Sequence, residues 1–252
     1  MTRKILVTGA KGRVGSAFVK YIDDNQLNFD LNLGDLIAKE ERDIALDVTD
    51  LLSCKRACEG VHTVVHLAGV ASPDSSFEQV LNINMVGTQN IFQAALEAGV
   101  KRVVFASSAQ TIEGYPLDVQ VNENMPVRPK NLYGVSKVFG EALGSYYAYQ
   151  KQLEVVVIRI GAFEYAHEWK KLGFRDMSAW AEPEDICSLI HRSIETKLQD
   201  SPFIIVHGIS DNRFKRLDLE RTKSLLGYKP KGDSFKVWHM GLDEESEPRS
   251  DS

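Results

Sequence analysis

Apolar residues in this chain fall into short blocks whose spacing switches between two periods. Residues 4–8 (Lys-Ile-Leu-Val-Thr) carry consecutive apolar side chains, as a strand buried on both faces does. A glycine-rich turn separates them from a helical repeat over 14–24. The alternation continues with strands at 29–33 and 44–46, a helix at 50–58 and a strand at 63–67. Helical spacing over 77–98 stops at Gly99, a natural C-terminal cap. A fifth strand at 103–106 is followed by an irregular stretch with three prolines, 109–130, then a helix over 132–150 and a sixth, β-branched strand at 155–160. Beyond Gly161 the alternation loosens. Residues 164–180 are irregular and rich in aromatic side chains. A helix is expected at 182–197 with Pro183 near its first turn, a strand at 203–207, and a short helix at 218–226 ended by Gly227.

Strand and helix in alternation predict an α/β fold, a doubly wound parallel sheet covered on both faces. The elements after Gly161 are too few for a second full domain. They predict one domain over 1–240, in which 161–240 mainly form a small C-terminal substrate-binding cap over the sheet edge. Composition agrees: 252 residues, 43% of them hydrophobic, can bury a substantial core without disulfides or metals. Charge matters mostly at one end. The chain holds 30 basic and 35 acidic side chains, a net charge of −5. The segment 241–252 alone carries five acids against one base, which leaves the other 240 residues at −1. That segment reads as an acidic, disordered tail, and the body has no basic excess with which to bind nucleic acid.

No run approaches the 18 or more apolar residues of a membrane span, and residues 1–9 lack a signal peptide's apolar segment. No membrane contact and a cytoplasmic location are expected. Three cysteines make no disulfide framework. Cys54 and Cys58 lack the second pair or histidine cluster of a metal site and read as buried small side chains, so no metal is expected. His62 and His66, on one face of a strand, read as packing residues.

The turn Thr8-Gly9-Ala10-Lys11-Gly12-Arg13-Val14-Gly15 changes the picture. It spaces glycines by three directly after a strand and at the opening of a helix. One glycine permits the tight turn, one lets backbone N–H groups approach a pyrophosphate, and one lets the helix pack on the strand, with the helix N-terminus facing the phosphate charge. Arg13 and Val14 belong to the same turn. Asp35 follows Gly15 by twenty residues at the end of the second strand, where a carboxylate accepts hydrogen bonds from the adenine ribose hydroxyls. The fold is therefore expected to be Rossmann-like and the ligand a dinucleotide. A carboxylate repels a 2′-phosphate, so the cofactor is NAD rather than NADP; Lys39 and Arg42 read as solvated loop charges.

Tyr133-Gly134-Val135-Ser136-Lys137 places a phenol and an ammonium on one helix face. A phenol, of pKa about 10, is a poor base at neutral pH unless a nearby cation favours its anion. The pair suits abstraction of a hydroxyl proton during an oxidation.

Several motifs occur in order: the glycine turn, His66-Leu67-Ala68-Gly69, Asn84-Met85-Val86-Gly87-Thr88, Ser107-Ser108 and Tyr133-x-x-x-Lys137. In combination they resemble the extended short-chain dehydrogenase/reductase family, the NAD-dependent epimerase/dehydratase group. The resemblance implies NAD along the sheet's C-terminal edge, with Leu67, Ala68 and Gly69 lining it, Asp47 and Val48 flanking the adenine, and Asn84 near the nicotinamide. It implies Tyr133 as catalytic acid/base, Lys137 binding the nicotinamide ribose and lowering the tyrosine pKa, and Ser108 hydrogen-bonding the reacting oxygen. Relatives often dimerise through a pair of long helices, so a homo-oligomer is compatible with the resemblance.

Length narrows the reaction. Sugar-nucleotide enzymes of this family are generally longer, whereas 91 residues follow Gly161 here. The segments around 131–141, 157–161 and 175–180 are similar to uronate dehydrogenases. Those around 207–212 and 226–230 are similar both to them and to a related NAD-dependent glucose-6-phosphate dehydrogenase. Such enzymes oxidise the anomeric carbon of an aldose to a lactone, and the resemblance implies that Arg175 binds the anionic end of the sugar. The expected activity is thus NAD-dependent oxidation of an aldose, foremost a hexuronate. An NAD-retaining sugar epimerase and a sugar-phosphate dehydrogenase are the alternatives. Departures fall on the sugar side. Ala109-Gln110 stands where uronate dehydrogenases resemble one another in Asn-His, and Ala162 where they carry serine. The loop 163–174 is longer and brings Glu164, His167, Lys170 and Lys171. Ala109 and Ser72 complete the expected substrate contacts, with Ser72 equally readable as a helix N-cap and His167 as a solvated loop residue.

Overall fold

The computed structural model describes residues 2–168, 173–198 and 201–238. Lys170, Lys171 and the acidic segment 241–252 lie outside the described residues. Seven strands form one all-parallel sheet: β1 (Arg3–Thr8), β2 (Phe29–Asp35), β3 (Asp43–Ala45), β4 (Thr63–His66), β5 (Arg102–Ser108), β6 (Glu154–Ile160) and β9 (Phe203–Gly208), in the order β3-β2-β1-β4-β5-β6-β9. Strands run outward from β1 in both directions, so the order reverses between β1 and β4. The carboxyl ends of those two strands open a crevice there, the place where open α/β sheets bind ligands.

Alternate residues of each strand enter opposite cores. Ile5, Val7, Val65, Val104, Val156 and Ile158 pack on one face with Phe18 and Ile22 of α1 (Arg13–Asp24) and Ile186 and Ile190 of α7 (Pro183–Glu195). Leu6, Val64, Val103, Phe105, Val155 and Val157 pack on the other. Their partners include Cys54 and Cys58 of α2 (Leu51–Cys58), Ile91 and Phe92 of α4 (Gly87–Glu97), and Tyr147 of α5 (Leu132–Lys151). Burial on both faces is why β1, β4, β5, β6 and β9 read as apolar runs, whereas β2 alternates and the edge strand β3 is partly exposed. The cysteines are buried free thiols, and loss of solvation pushes Cys54, Cys58 and Cys187 up to about 12. His66 is also a packing residue: both ring nitrogens meet threonine hydroxyls, Thr8 at 2.7 Å and Thr88 at 3.1 Å.

Two elements differ from the sequence expectation. The helix expected over 77–98 is broken into α3 (Phe77–Gln79), a π-helical stretch (Val80–Val86) and α4. Helical periodicity does not distinguish the two windings. The wider one is held by buried Asn84, whose amide bonds to the Val70 backbone and to Ser136. The segment after Gly161 does not act as a cap alone. It supplies strand β9, registered on β6, and helix α7, packed against α1. Of the short pieces between β6 and α7, β7 (Ala162–Phe163) and α6 (Phe174–Ser178) contribute to a cavity wall, and β7 pairs with β8 (Trp180–Ala181) as a separate two-stranded sheet.

Candidate active site

Two adjoining cavities follow the crevice, one of about 600 Å³ and one of about 310 Å³, and both are lined by Leu67, Gly69 and Val70. The larger lies over the glycine turn. Gly9 has φ +67°, and a Cβ there would lie 2.8 Å from the Ala68 backbone; one at Gly15 would lie 2.2 Å from the Gly9 carbonyl oxygen. Side chains are thus excluded where β1, the turn and the loop after β4 come together, and bare backbone faces the groove, as close approach of a pyrophosphate requires. Asp35 lines the same cavity. Its two carboxylate oxygens accept the N–H groups of Lys11 at 2.9 Å and Leu36 at 2.8 Å, which fixes it against the turn. Asp47 and Val48 line the groove from the far side. Arg42 is held by both oxygens of Asp23, and Lys11 by Asp43. Neither cation is spare for a 2′-phosphate, and the residues present fit NAD.

The smaller cavity collects Ser108, Ala109, Tyr133 and Lys137 with Arg13, Val14, Ala162 and Arg175. Ser108 ends β5 and caps the short 3₁₀ turn Ala109–Ile112. Tyr133 and Lys137 lie on the first turns of α5, whose N-cap is Asn131. The Asn131 side chain accepts the Gly134 N–H at 2.8 Å and donates to Gln110 at 2.8 Å, so Gln110 holds the start of the helix that carries the tyrosine. Burial pushes the Tyr133 phenol above its ordinary range, while its hydrogen bond with Ser108 pulls the other way. Burial lowers Lys137 to about 8. Its ammonium lies 5.7 Å from the centre of the Tyr133 ring and 5.1 Å from that of Phe105.

Not every expected residue reaches a cavity. Asn84 lies behind the wall, tying the loop at Val70 to α5 through Ser136. Ser72 is exposed and lines neither cavity; its hydroxyl accepts the Asp74 N–H at 3.2 Å, and the N-cap of α3 is Ser76. His167 is exposed against Tyr165, away from the cavity.

The sequence matches the model of the NAD dependent epimerase/dehydratase family over residues 5–171. The chain belongs to this family. It is 35% identical to an NAD-dependent glucose-6-phosphate dehydrogenase of Haloferax volcanii, over 97% of this chain and 100% of that one. It is 36% identical to an L-arabinose 1-dehydrogenase (NAD(P)(+)) of the same organism, over 93% and 98%. The uronate dehydrogenase of Agrobacterium tumefaciens superposes with a TM-score of 0.83 at 30% identity, covering 98% of this chain and 92% of that one. A mutant of that enzyme, solved with NAD, gives a TM-score of 0.81 at 29% identity over 99% and 93%. Within the epimerase/dehydratase family this chain is a uronate dehydrogenase-like member, and NAD is its cofactor.

Against that family background, the substrate side holds what sequence reasoning missed. Arg175 reaches the cavity, but its fork is already engaged: Nε and Nη2 donate to the two oxygens of Glu113 at 3.0 and 2.6 Å, and Nη1 donates to Asp176 at 2.9 Å. Burial works against the Arg175 charge, yet the two carboxylates outweigh it and its pKa is raised. Arg13, expected at the cofactor, pairs with Glu164 and Glu168 across the cavity mouth. No local pattern announces either set. Glu113 and Arg175 are 62 residues apart in sequence, and Arg13 and Glu164 151 apart.

Proposed function

We propose that this NAD-dependent sugar dehydrogenase oxidises the anomeric carbon of an aldose to a lactone. The observation that carries the reading is the convergence of Ser108, Tyr133 and Lys137 on a cavity that continues the dinucleotide groove. Bound in that groove, NAD supplies the hydride acceptor for C1. Ser108 holds the C1 oxygen by a hydrogen bond, and the ionised Tyr133 takes the hydroxyl proton as the C1–O double bond forms. The Lys137 ammonium favours the phenolate electrostatically. A cavity of about 310 Å³ suits a monosaccharide. The expectation of a hexuronate came from the likeness to uronate dehydrogenases and gave Arg175 the anionic end of the sugar. With that fork engaged by Glu113, the reading rests on the aldose carbon alone.

The test is an assay of the purified protein with NAD and matched aldoses, uronates and sugar phosphates. NADH is followed by absorbance, and the product is identified as the lactone or its hydrolysed acid. Equimolar NADH and lactone are expected with at least one sugar. Interconversion of two sugars without net NADH would mark an epimerase instead and overturn the proposal.

A further inference from the structure

The pair formed by Glu113 and Arg175 has no place in the hydride and proton chemistry, yet Arg175 lines the cavity in which that chemistry is proposed. Three of the guanidinium's five N–H groups are used on carboxylates. Counted with Glu113 and Asp176, the local charge is −1 rather than +1. Buried Arg216 is the nearby counter-charge, but its Nη1 and Nη2 donate to the carbonyl oxygens of Pro116 at 3.0 Å and Tyr115 at 2.9 Å. It therefore braces the backbone just beyond Glu113. On both sides of Glu113, backbone bonds tie the loop to Arg128: Arg128 N–H to the Thr111 carbonyl at 2.8 Å, and Gly114 N–H to the Arg128 carbonyl at 2.7 Å. The Glu113 side chain itself is 14% exposed. The carboxylate is thus held in place beside the arginine from behind the cavity wall.

We infer that Glu113 sets the charge preference of the sugar site, turning Arg175 from an anion receptor into a charge-matched hydrogen-bond donor for an uncharged, hydroxyl-bearing aldose. This rests on the reading that the cavity takes an aldose. A sugar hydroxyl needs only to accept one of the two remaining guanidinium N–H groups and brings no charge, so it suits an arginine whose own charge is already matched from behind the wall. A sugar carboxylate or phosphate meets Glu113 and Asp176 as like charges; to use the arginine fork it must displace a braced carboxylate.

The experiment compares galactose with galacturonate and glucose with glucuronate at saturating NAD. Wild-type protein and Glu113→Gln are measured, with Glu113→Ala as a second variant and NAD titration verifying that each has folded. Wild type is expected to favour the neutral sugar in kcat/KM by about tenfold or more. Both variants should shift that ratio toward the uronate by at least about tenfold, a change of about 1.4 kcal/mol. A parallel measurement needs no turnover: calorimetric binding of 1,5-anhydrogalactitol and of its C6 carboxylate to the NAD complex. The same preference and the same shift are expected there. Tighter wild-type binding of the acid, no binding of either compound, or a ratio unchanged in both variants overturns the inference. If no aldose yields NADH while the anhydro compounds show the preference and its shift, the proposed reaction has failed and the role of Glu113 stands.

Discussion

At the cofactor end of the cleft, backbone makes the surface. Gly9 and Gly15 sit where a Cβ would strike the Ala68 backbone or the Gly9 carbonyl oxygen, and Asp35 is fixed by two main-chain N–H groups. At the sugar end, side chains make it. Arg175 is set by Glu113 and Asp176, and Arg13 by Glu164 and Glu168, each from a distant part of the chain except Asp176. Backbone surfaces tolerate few sequences, because a missing Cβ has no substitute. Ion-paired surfaces can be re-partnered by one substitution while the fold persists. The same scaffold can thus keep its cofactor while its sugar changes.

Tyr133 stands at the junction of the two ends and should give the largest effect. Replacing it with phenylalanine would remove the proposed proton acceptor, so kcat should fall by about 10²–10⁴. NAD affinity, read by fluorescence titration, should stay within about twofold of wild type. A loss of activity below tenfold would break the assignment of Tyr133 to chemistry.

The same junction fixes the pH dependence. Burial raises Tyr133 and lowers Lys137 to about 8, so near that pH the pair loses one proton. The form with neutral lysine and protonated phenol has the same protons as the form with ammonium and phenolate, and their ratio does not change with pH. The rate of oxidation should therefore rise about tenfold per unit between pH 6 and 8 and level off above 8. In Lys137→Met the phenol titrates alone, so the rise should continue past pH 10. Measuring kcat/KM from pH 6 to 10.5 for both proteins decides it; coincident profiles would remove Lys137 from the pair.

Gly9→Ala tests the backbone end directly. A residue with a Cβ at φ +67° is strained, and the new methyl meets main chain rather than a movable side chain. A cost of about 2 kcal/mol should appear in folding stability, read by denaturant unfolding, and a turn that shifts to relieve it would weaken NAD binding by up to about 30-fold. Glu113→Gln should leave NAD binding within about twofold, so the pair of variants separates the two ends.

What could be read from sequence follows the same division. The glycine turn, Asp35 and the Tyr133–Lys137 pair each lie within one or two consecutive elements, where spacing alone specifies geometry. Five of the seven parallel strands were legible as apolar runs because both faces are buried, and β2 and the edge strand β3 from their place in the alternation. The π-helical winding at Asn84 was not: helical spacing does not distinguish it, and the Asn84 side chain within it bonds to Ser136, 52 residues away. Nor was the paired state of Arg175: a guanidinium looks the same in sequence whether it is spare or spoken for. Gln110 could be seen only as a departure from a related pattern, and its partner Asn131 shows why it matters to α5.

The smallest expected effect belongs to Asp35, a side chain that lines the groove at the backbone end. Asp35→Ala would remove the acceptor proposed for the adenine ribose hydroxyls, and hydrogen bonds to a charged group contribute about 1.5–3 kcal/mol. The lower figure applies here, because both oxygens already accept from Lys11 and Leu36, and the ribose would share them. NAD affinity should fall about tenfold. NADP should gain relative to NAD, but NADP should not bind tightly, since Arg42 stays on Asp23 and Lys11 on Asp43. Releasing Arg42 with Asp23→Asn in the same chain should raise NADP affinity further. Titrating both cofactors against wild type, Asp35→Ala and the double variant checks this. An unchanged ratio of the two affinities in all three would show that cofactor choice, too, is set by the backbone.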